Sequence, residues 1–464
     1  MYDTQTSKKD KYSLPLFESS NSMKIYIALA AVLFMACSPT PLKDSLLIEG
    51  ATLINPGNST EIIESSFLYI ENGKIESYGT LTEKPNNLVP EKTIDARGKY
   101  LMPGLIDGFA TLNNQAYANA YLYKGVTTIL EVDGYRRGPF YADADPKPGI
   151  YRLEGVGEEP TTDTNLIAKI DSLHAADYKV LLMMYALTPD QTKMVYEHAK
   201  SLGMATIGEM GLTTYKQGMD IGLDAFVHTT RYSLDIAPRD MANAVANNPF
   251  SNDLESPKWK YYGYLTQVQK NDSLLMQHAK NLAASHSFIM PTMSLSYLDL
   301  PEAKNPWLDP VAAILNPEDI NRPADPKTGK HNIGQEEQTA YSNLIANETS
   351  VIEPAYYKAG ARYLSGSATD VWGTMPGISL HTELMLLHTK AGLTNAEVLA
   401  ATTSNFSDAF RWKVGKIQAG FEADLLLLNA NPLESLSNLT TIYKLFIDGK
   451  ELIPETLLKQ TNDH

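Results

Sequence analysis

From Leu101 to Lys413, short apolar runs alternate with amphipathic stretches of helical length, and no other feature restricts the chain as much. Strands alternating with helices in this way are the signature of βα units and a parallel sheet, with the helices covering its faces. TPDQTKMVYEHAKSLGM illustrates one helix: Thr188 caps it, Pro189 takes the first helical position, apolar residues recur at i, i+3 and i+4, and Gly203 ends it. ATIGEM and LDAFVHTT follow in βαβα order, and NDSLLMQHAKNLAASH leading into SFIMPTMSL repeats the rhythm. The stretch around 296–338 breaks it. Rich in proline and polar residues, it is expected to be an irregular insertion serving as a lid or a partner surface.

Strand patterns flank the alternating block on both sides. LLIEGATLI, SFLYIENGKIESYG and KTIDARGKYLM are separated by polar turns, with Asn72-Gly73 as a strong hairpin signal. Strands return after Val414 in KIQAGFEADLLLLNANP and TIYKLFIDGKEL. Residues 45–100 and 414–455 are therefore expected to form one composite β-sandwich beside a barrel built from 101–413.

Composition narrows the function classes. An apolar fraction of 43% with 20% charged residues fits a globular chain with a sizeable core, not a polytopic membrane protein. Thirty-nine basic against fifty-four acidic residues leave a net charge of −15, which repels phosphate backbones, so no nucleic-acid partner is expected. The single cysteine, Cys37, excludes intramolecular disulfides, zinc knuckles and redox pairs. It ends the text MKIYIALAAVLFMAC from Met23, whose twelve apolar residues Ile25 to Ala36 are too few to span about 30 Å of hydrocarbon as a helix. Residues 23–37 resemble a bacterial lipoprotein signal, with Cys37 as the lipidated residue. Residues 1–22 add nothing that export needs, and Met23 reads as the start. The expected location is the bacterial cell envelope, lipid-anchored and facing the periplasm or the cell surface.

Motifs across the mature chain resemble the amidohydrolase superfamily, nearest to its imidazolonepropionase-like branch. PGLID at Pro103 to Asp107 is similar to the family's first barrel strand, and YKGVTTILEVDG to its second. GLDAFVHTT resembles the sixth strand, GSATD followed by MPGISLHTEL the eighth, and GKIQAGFEADLLLLNANPL the return to the β-sandwich. The resemblance implies an α/β fold, a (β/α)8 TIM-like barrel with the composite β-sandwich formed by the flanks. It also implies one or two divalent metals held at the carboxyl ends of the strands. The donors there are a His-x-His pair after PGLID, a lysine or glutamate on strand four, histidines on strands five and six, and an aspartate on strand eight. Such a metal lowers the pKa of its bound water and polarises a carbonyl for hydrolysis of carbon–nitrogen bonds.

At the first of these positions the chain departs from the pattern. Phe109 and Thr111 stand where the two histidines belong, and neither a phenyl ring nor a neutral hydroxyl replaces an imidazole as ligand. Glu209 falls at the fifth-strand position, within one residue, and is expected to pair with a lysine or arginine if the cup is filled. Lys179 begins the fourth strand, at the wrong end of the barrel. His228 and Asp370 survive at the sixth and eighth strands. A strand-ending histidine often only bonds a neighbouring loop, and an aspartate before a turn often only caps amides.

Three readings stay open. In the first, Glu209, His228 and Asp370 hold one metal, zinc or manganese, with Asp370 also catalytic, and the chain is a mononuclear hydrolase. In the second, hydrolysis is impaired, no cofactor is tightly bound, and the cup binds a small molecule carrying an amide-like group. Phe109 then floors the cup, and the ligand is contacted by Glu131, Asp133, Arg136 and Tyr185 or by the lid. In the third, the chain is a lipid-anchored interaction protein whose lid presents Trp259, Trp307 and the Tyr261-Tyr262 pair. The resemblance is compatible with a homodimer. GVGEEP lacks the lysine of a phosphate loop, and Ser201, Ser365 and Ser367 lack an assignable base.

Overall fold

Two hairpins show how local chemistry sets the β-domain. Strands β4 (Ser66–Glu71) and β5 (Lys74–Thr80) are joined by Asn72 and Gly73, both at positive φ, the geometry that matches the twist of paired strands. Asp448-Gly449 does the same between β17 (Ile442–Ile447) and β18 (Lys450–Leu452). The computed structural model describes residues 42–133, 143–231, 233–248, 251 and 253–459. The expected signal at 23–37, Cys37 and Arg136 lie outside the described residues. Among the described residues, no helix is long and apolar enough to cross a membrane.

The β-domain has two sheets. One is ordered β5-β4-β1-β6, with β1 Leu42–Glu49 and β6 Pro90–Asp95. The other is ordered β18-β17-β16-β7-β2-β3, with β2 Thr52–Asn55, β3 Glu61–Ile63, β7 Tyr100–Pro103 and β16 Leu425–Leu428. Strand β16 pairs antiparallel with β7, which joins the two ends of the chain in one sheet. Its four leucines are all buried because the sheet is covered on both faces. Leu425 and Leu427 meet Ile48, Leu53 and Ile70 in the sandwich, whereas Leu426 and Leu428 pack on the barrel's outer layer. At roughly 1.5–3 kcal/mol per fully buried leucine, this strand is a principal tie between the two parts.

The barrel strands run parallel in chain order: β8 Leu105–Ala110, β9 Val126–Val132, β10 Gly149–Val156, β11 Val180–Met183, β12 Ala205–Gly208, β13 Ala225–Val227, β14 Phe288–Met290 and β15 Arg362–Tyr363. Closure falls just beyond the short β15, where the Gly108 N–H donates to the Ser365 carbonyl at 3.0 Å. Side chains are excluded there, because a Cβ on Gly108 would lie 2.5 Å from Met290 Cε and one on Gly366 2.3 Å from Met290 Sδ. Ile106, Leu130, Leu153, Leu182, Ile207, Val227 and Met290 fill the interior, and their strand neighbours Leu105, Ile129, Leu181 and Phe226 face the helices. The helix Pro189–Ser201 forms as expected, with the Thr188 hydroxyl accepting from the Gln191 N–H and Gly203 at positive φ just after it.

The 296–338 stretch lies between β14 and β15 and contains several 3₁₀ turns, three of them (Pro306–Leu308, Pro310–Ile314 and Pro317–Asp319) capped by the side chains of Asn305, Asp309 and Asn316. Trp307 belongs to it and donates from Nε1 to the Ala324 carbonyl at 2.8 Å. Trp259, Tyr261 and Tyr262, expected on the same surface, stand elsewhere. They lie on the helix Pro257–Leu265 between β13 and β14, where burial of all three rings removes them from any exposed partner surface.

Candidate functional site at the carboxyl ends of the barrel strands

The first strand delivers Asp107, Phe109 and Thr111 to the mouth, all buried. Asp107 is a residue that sequence reasoning does not single out. Its Oδ1 accepts the Ser367 N–H at 2.8 Å and the Phe109 N–H at 3.3 Å, tying strand one to the segment after strand eight. Burial pushes its carboxyl up to about 6, against the pull of those amides. Phe109, 1% exposed, turns its ring onto His228, with centroids 5.3 Å apart and planes at 68°. This is the edge-to-face contact favoured by aromatic quadrupoles.

His228 follows β13 in a left-handed backbone conformation, with φ at 55°. Its Nδ1 lies 2.6 Å from the Thr292 hydroxyl, which itself donates to the Pro291 carbonyl at 2.6 Å. With that proton committed, the hydroxyl accepts from Nδ1–H, and Nε2 carries the lone pair. Burial, reinforced by the nearby Arg231 charge, lowers the imidazole pKa to about 3, so the ring is neutral at pH 7.

Glu209 follows β12 and is 2% exposed. The expectation that it pairs with lysine or arginine is not met: among the described residues its Oε2 has no hydrogen-bond partner. The reason is electrostatic. Burial, and then the charge of Glu158, raises its pKa to about 8, so at pH 7 the group is a neutral carboxylic acid that needs no counter-ion.

Asp370 is fully buried and accepts the Asn321 N–H at 2.7 Å on Oδ1 and Asn113 Nδ2 at 3.0 Å on Oδ2. It therefore ties the 296–338 segment to the end of the first barrel strand; the amide it accepts belongs to that segment and not to its own turn at Gly373. Asn114 adds a second clasp, donating to Asp319 at 3.0 Å. Glu131 and Tyr185 are buried at the ends of strands two and four, whereas Asp133 turns to Arg152, at 3.0 Å, and to the Tyr178 hydroxyl. Lys179 precedes β11 at the opposite end of the barrel and pairs with Asp177.

A zinc or manganese ion needs donors converging at about 2.0–2.2 Å. Among the described residues, no three or more His, Cys, Asp or Glu side chains gather to hold a metal ion, so Glu209, His228 and Asp370 do not form the expected ligand set. A phenyl ring rests on the imidazole, and both aspartate oxygens are already engaged in hydrogen bonds that hold neighbouring segments. The residues present do not fit a metal. What the mouth does offer is a set of buried polar atoms without protein partners among the described residues, namely Thr111 Oγ1, Asn113 Oδ1, Glu209 Oε2 and Thr229 Oγ1.

Residues 159–452 match the model of the Amidohydrolase family. Over 92 residues the chain is 33% identical to a 5'-deoxyadenosine deaminase of Methanobrevibacter smithii, a match covering 20% of this chain and only 19% of that enzyme. Among solved structures, a bottromycin amidohydrolase superposes with a TM-score of 0.64 at 18% identity, over 92% of this chain and 91% of its own. A. niger ochratoxinase superposes at 0.56 with 15% identity, over 88% and 95%. At these identities the superpositions speak for the fold.

Proposed function

This chain belongs to the amidohydrolase family, and from that premise we propose that it has given up metal-dependent hydrolysis and uses the barrel mouth to bind a small molecule with an amide-like carbon–nitrogen group. Members of the family generally use divalent metals. The observation that carries the proposal is the Phe109 ring seated on the His228 imidazole, at the position where the family places its first metal ligands. Chemistry of the remaining groups supports a binding role. A protonated Glu209 donates to a carbonyl oxygen, while Asn113 Oδ1 and the threonine hydroxyls accept from an amide N–H. Each buried polar atom left without a partner costs about 1–3 kcal/mol, which a matching ligand recovers. Placement at the bacterial envelope through lipid on Cys37 belongs to the same proposal and rests on the sequence.

Elemental analysis of protein incubated with zinc or manganese and then desalted tests it, together with a panel of amides, lactams and dipeptides. The expected result is far less than one metal per chain and no turnover. About one tightly held metal, lost in His228→Ala or Asp370→Ala together with hydrolytic activity, overturns the proposal.

A further inference from the structure

Beside the mouth, three cations meet an aromatic row in a chain that is otherwise acidic. Lys258, on the helix Pro257–Leu265, is 7% exposed, yet among the described residues no carboxylate, carbonyl or hydroxyl bonds its ammonium. Its stem is buried while Nζ is not among the fully enclosed polar atoms, so the ammonium, with three donors and no lone pair, stands in a recess that solvent reaches. Its nearest compensation is the ring of Tyr262 at 5.6 Å and that of Trp259 at 5.9 Å, close to the outer limit of about 6 Å for a cation–π contact. Arg231 and Arg322 stand near enough for their charges to add to burial in lowering its pKa to about 8, and Glu337 opposes them only from beyond ion-pair range.

A second donor in the same place lacks an acceptor. Trp259 is 7% exposed, and its indole Nε1 has no hydrogen-bond partner among the described residues. From Trp259 the row continues through Tyr341 at 5.0 Å to Trp372 at 5.2 Å, with the Arg322 guanidinium 4.4 Å above the last ring. Arg231 is fixed by donation to the Ser296 hydroxyl at 2.7 Å, faces the buried Glu348 carboxyl at 4.0 Å, and links the row to the sixth barrel strand, its own N–H bonding the His228 carbonyl.

We propose that Lys258, Trp259 and Arg231 form a recognition site for an anionic group, a carboxylate or a phosphate, whose attached body lies toward Trp372, the half-buried end of the aromatic row. Donor-only groups converging in a recess select an acceptor-only, negatively charged partner, and charge-assisted bonds are the strong ones. This deepens the binding reading above and rests on it, because the ligand becomes a small amide that also carries an anionic end.

Calorimetric titration of the purified full chain with N-acetylglycine, its neutral analogue N-acetylglycinamide and inorganic phosphate tests the assignment, in wild type and in Lys258→Met and Lys258→Arg. The expected result is that an anion binds wild type at least tenfold more tightly than the neutral amide, that Lys258→Met abolishes this preference, and that Lys258→Arg keeps most of it. The anion that shows this dependence, carboxylate or phosphate, identifies the source. Thermal unfolding separates recognition from a structural role. Removing a cation that has no partner leaves the unfolding temperature of Lys258→Met at or above wild type. Equal binding of both anions by wild type and Lys258→Met overturns the assignment, as does a lowered unfolding temperature in that variant. Metal content bears only on the preceding proposal, so a failure of that reading and a failure of this one are told apart by different measurements.

Discussion

Replacing Phe109 by alanine probes the contact on which the functional reading turns. The ring is 1% exposed and touches His228, while Met290 and Phe406 are held by the tight glycine crossings at Gly108 and Gly366 and have little freedom to close a gap. Phe→Ala at sites that cannot collapse costs about 3–5 kcal/mol, as lost transfer energy plus about 24 cal/mol per Å³ of remaining cavity. We expect the upper part of that range, with Phe109→Leu losing no more than about 1.5 kcal/mol because most of the volume stays. Urea unfolding measures this as a fall in midpoint at unchanged slope. In an open, hydrated metal cup the same side chain would sit partly in water and its truncation would cost less than about 1.5 kcal/mol. A loss that small refutes the view that the ring plugs the metal position.

Other outcomes follow from the same geometry. Glu209 has a folded pKa near 8, above its ordinary value, so its stabilising contribution is complete at pH values below about 4.5 and is lost as pH rises through 8. With each pH unit between those two values worth about 1.36 kcal/mol, the loss amounts to roughly 4–5 kcal/mol. The difference in unfolding free energy between wild type and Glu209→Gln should therefore move by that amount from about pH 4 to about pH 9, and a flat difference contradicts a protonated Glu209. Asp370→Ala removes the acceptor of the Asn321 N–H and should speed proteolytic cleavage within residues 317–330 severalfold, as followed by mass spectrometry; unchanged cleavage rates argue against the clasp. Cys37→Ala should abolish incorporation of radiolabelled palmitate in bacterial cells, and labelling that persists places the lipid elsewhere.

How much of this is legible in the sequence depends on the range of the forces involved. The Asn72-Gly73 hairpin, the Thr188 cap and the alternating barrel are written in nearest neighbours and periodicity, and each forms in the structure. The substitution at Phe109 and Thr111 is visible because a motif marks the place. The ring contact with His228 is not, since it joins the ends of strands one and six. Glu209 misleads for a related reason: whether a carboxyl ionises and seeks a cation depends on burial, which its sequence neighbours do not report. Aromatic character alone puts Trp259, Tyr261 and Tyr262 on a partner surface, whereas their helix turns them inward. Lys258 carries no signal at all, because an exposed and a buried lysine read alike.

The union of β7 with β16 has a consequence for the chain's birth. The Ile417 amide donates to the Asn55 side chain across a separation of 362 residues, which ties the approach to β16 to strand β2. While a ribosome works through the intervening stretch, the early strands have no mate on one side and the sandwich cannot close. Its apolar edge stays open for the whole of that interval, a state that a holding chaperone would have to shield.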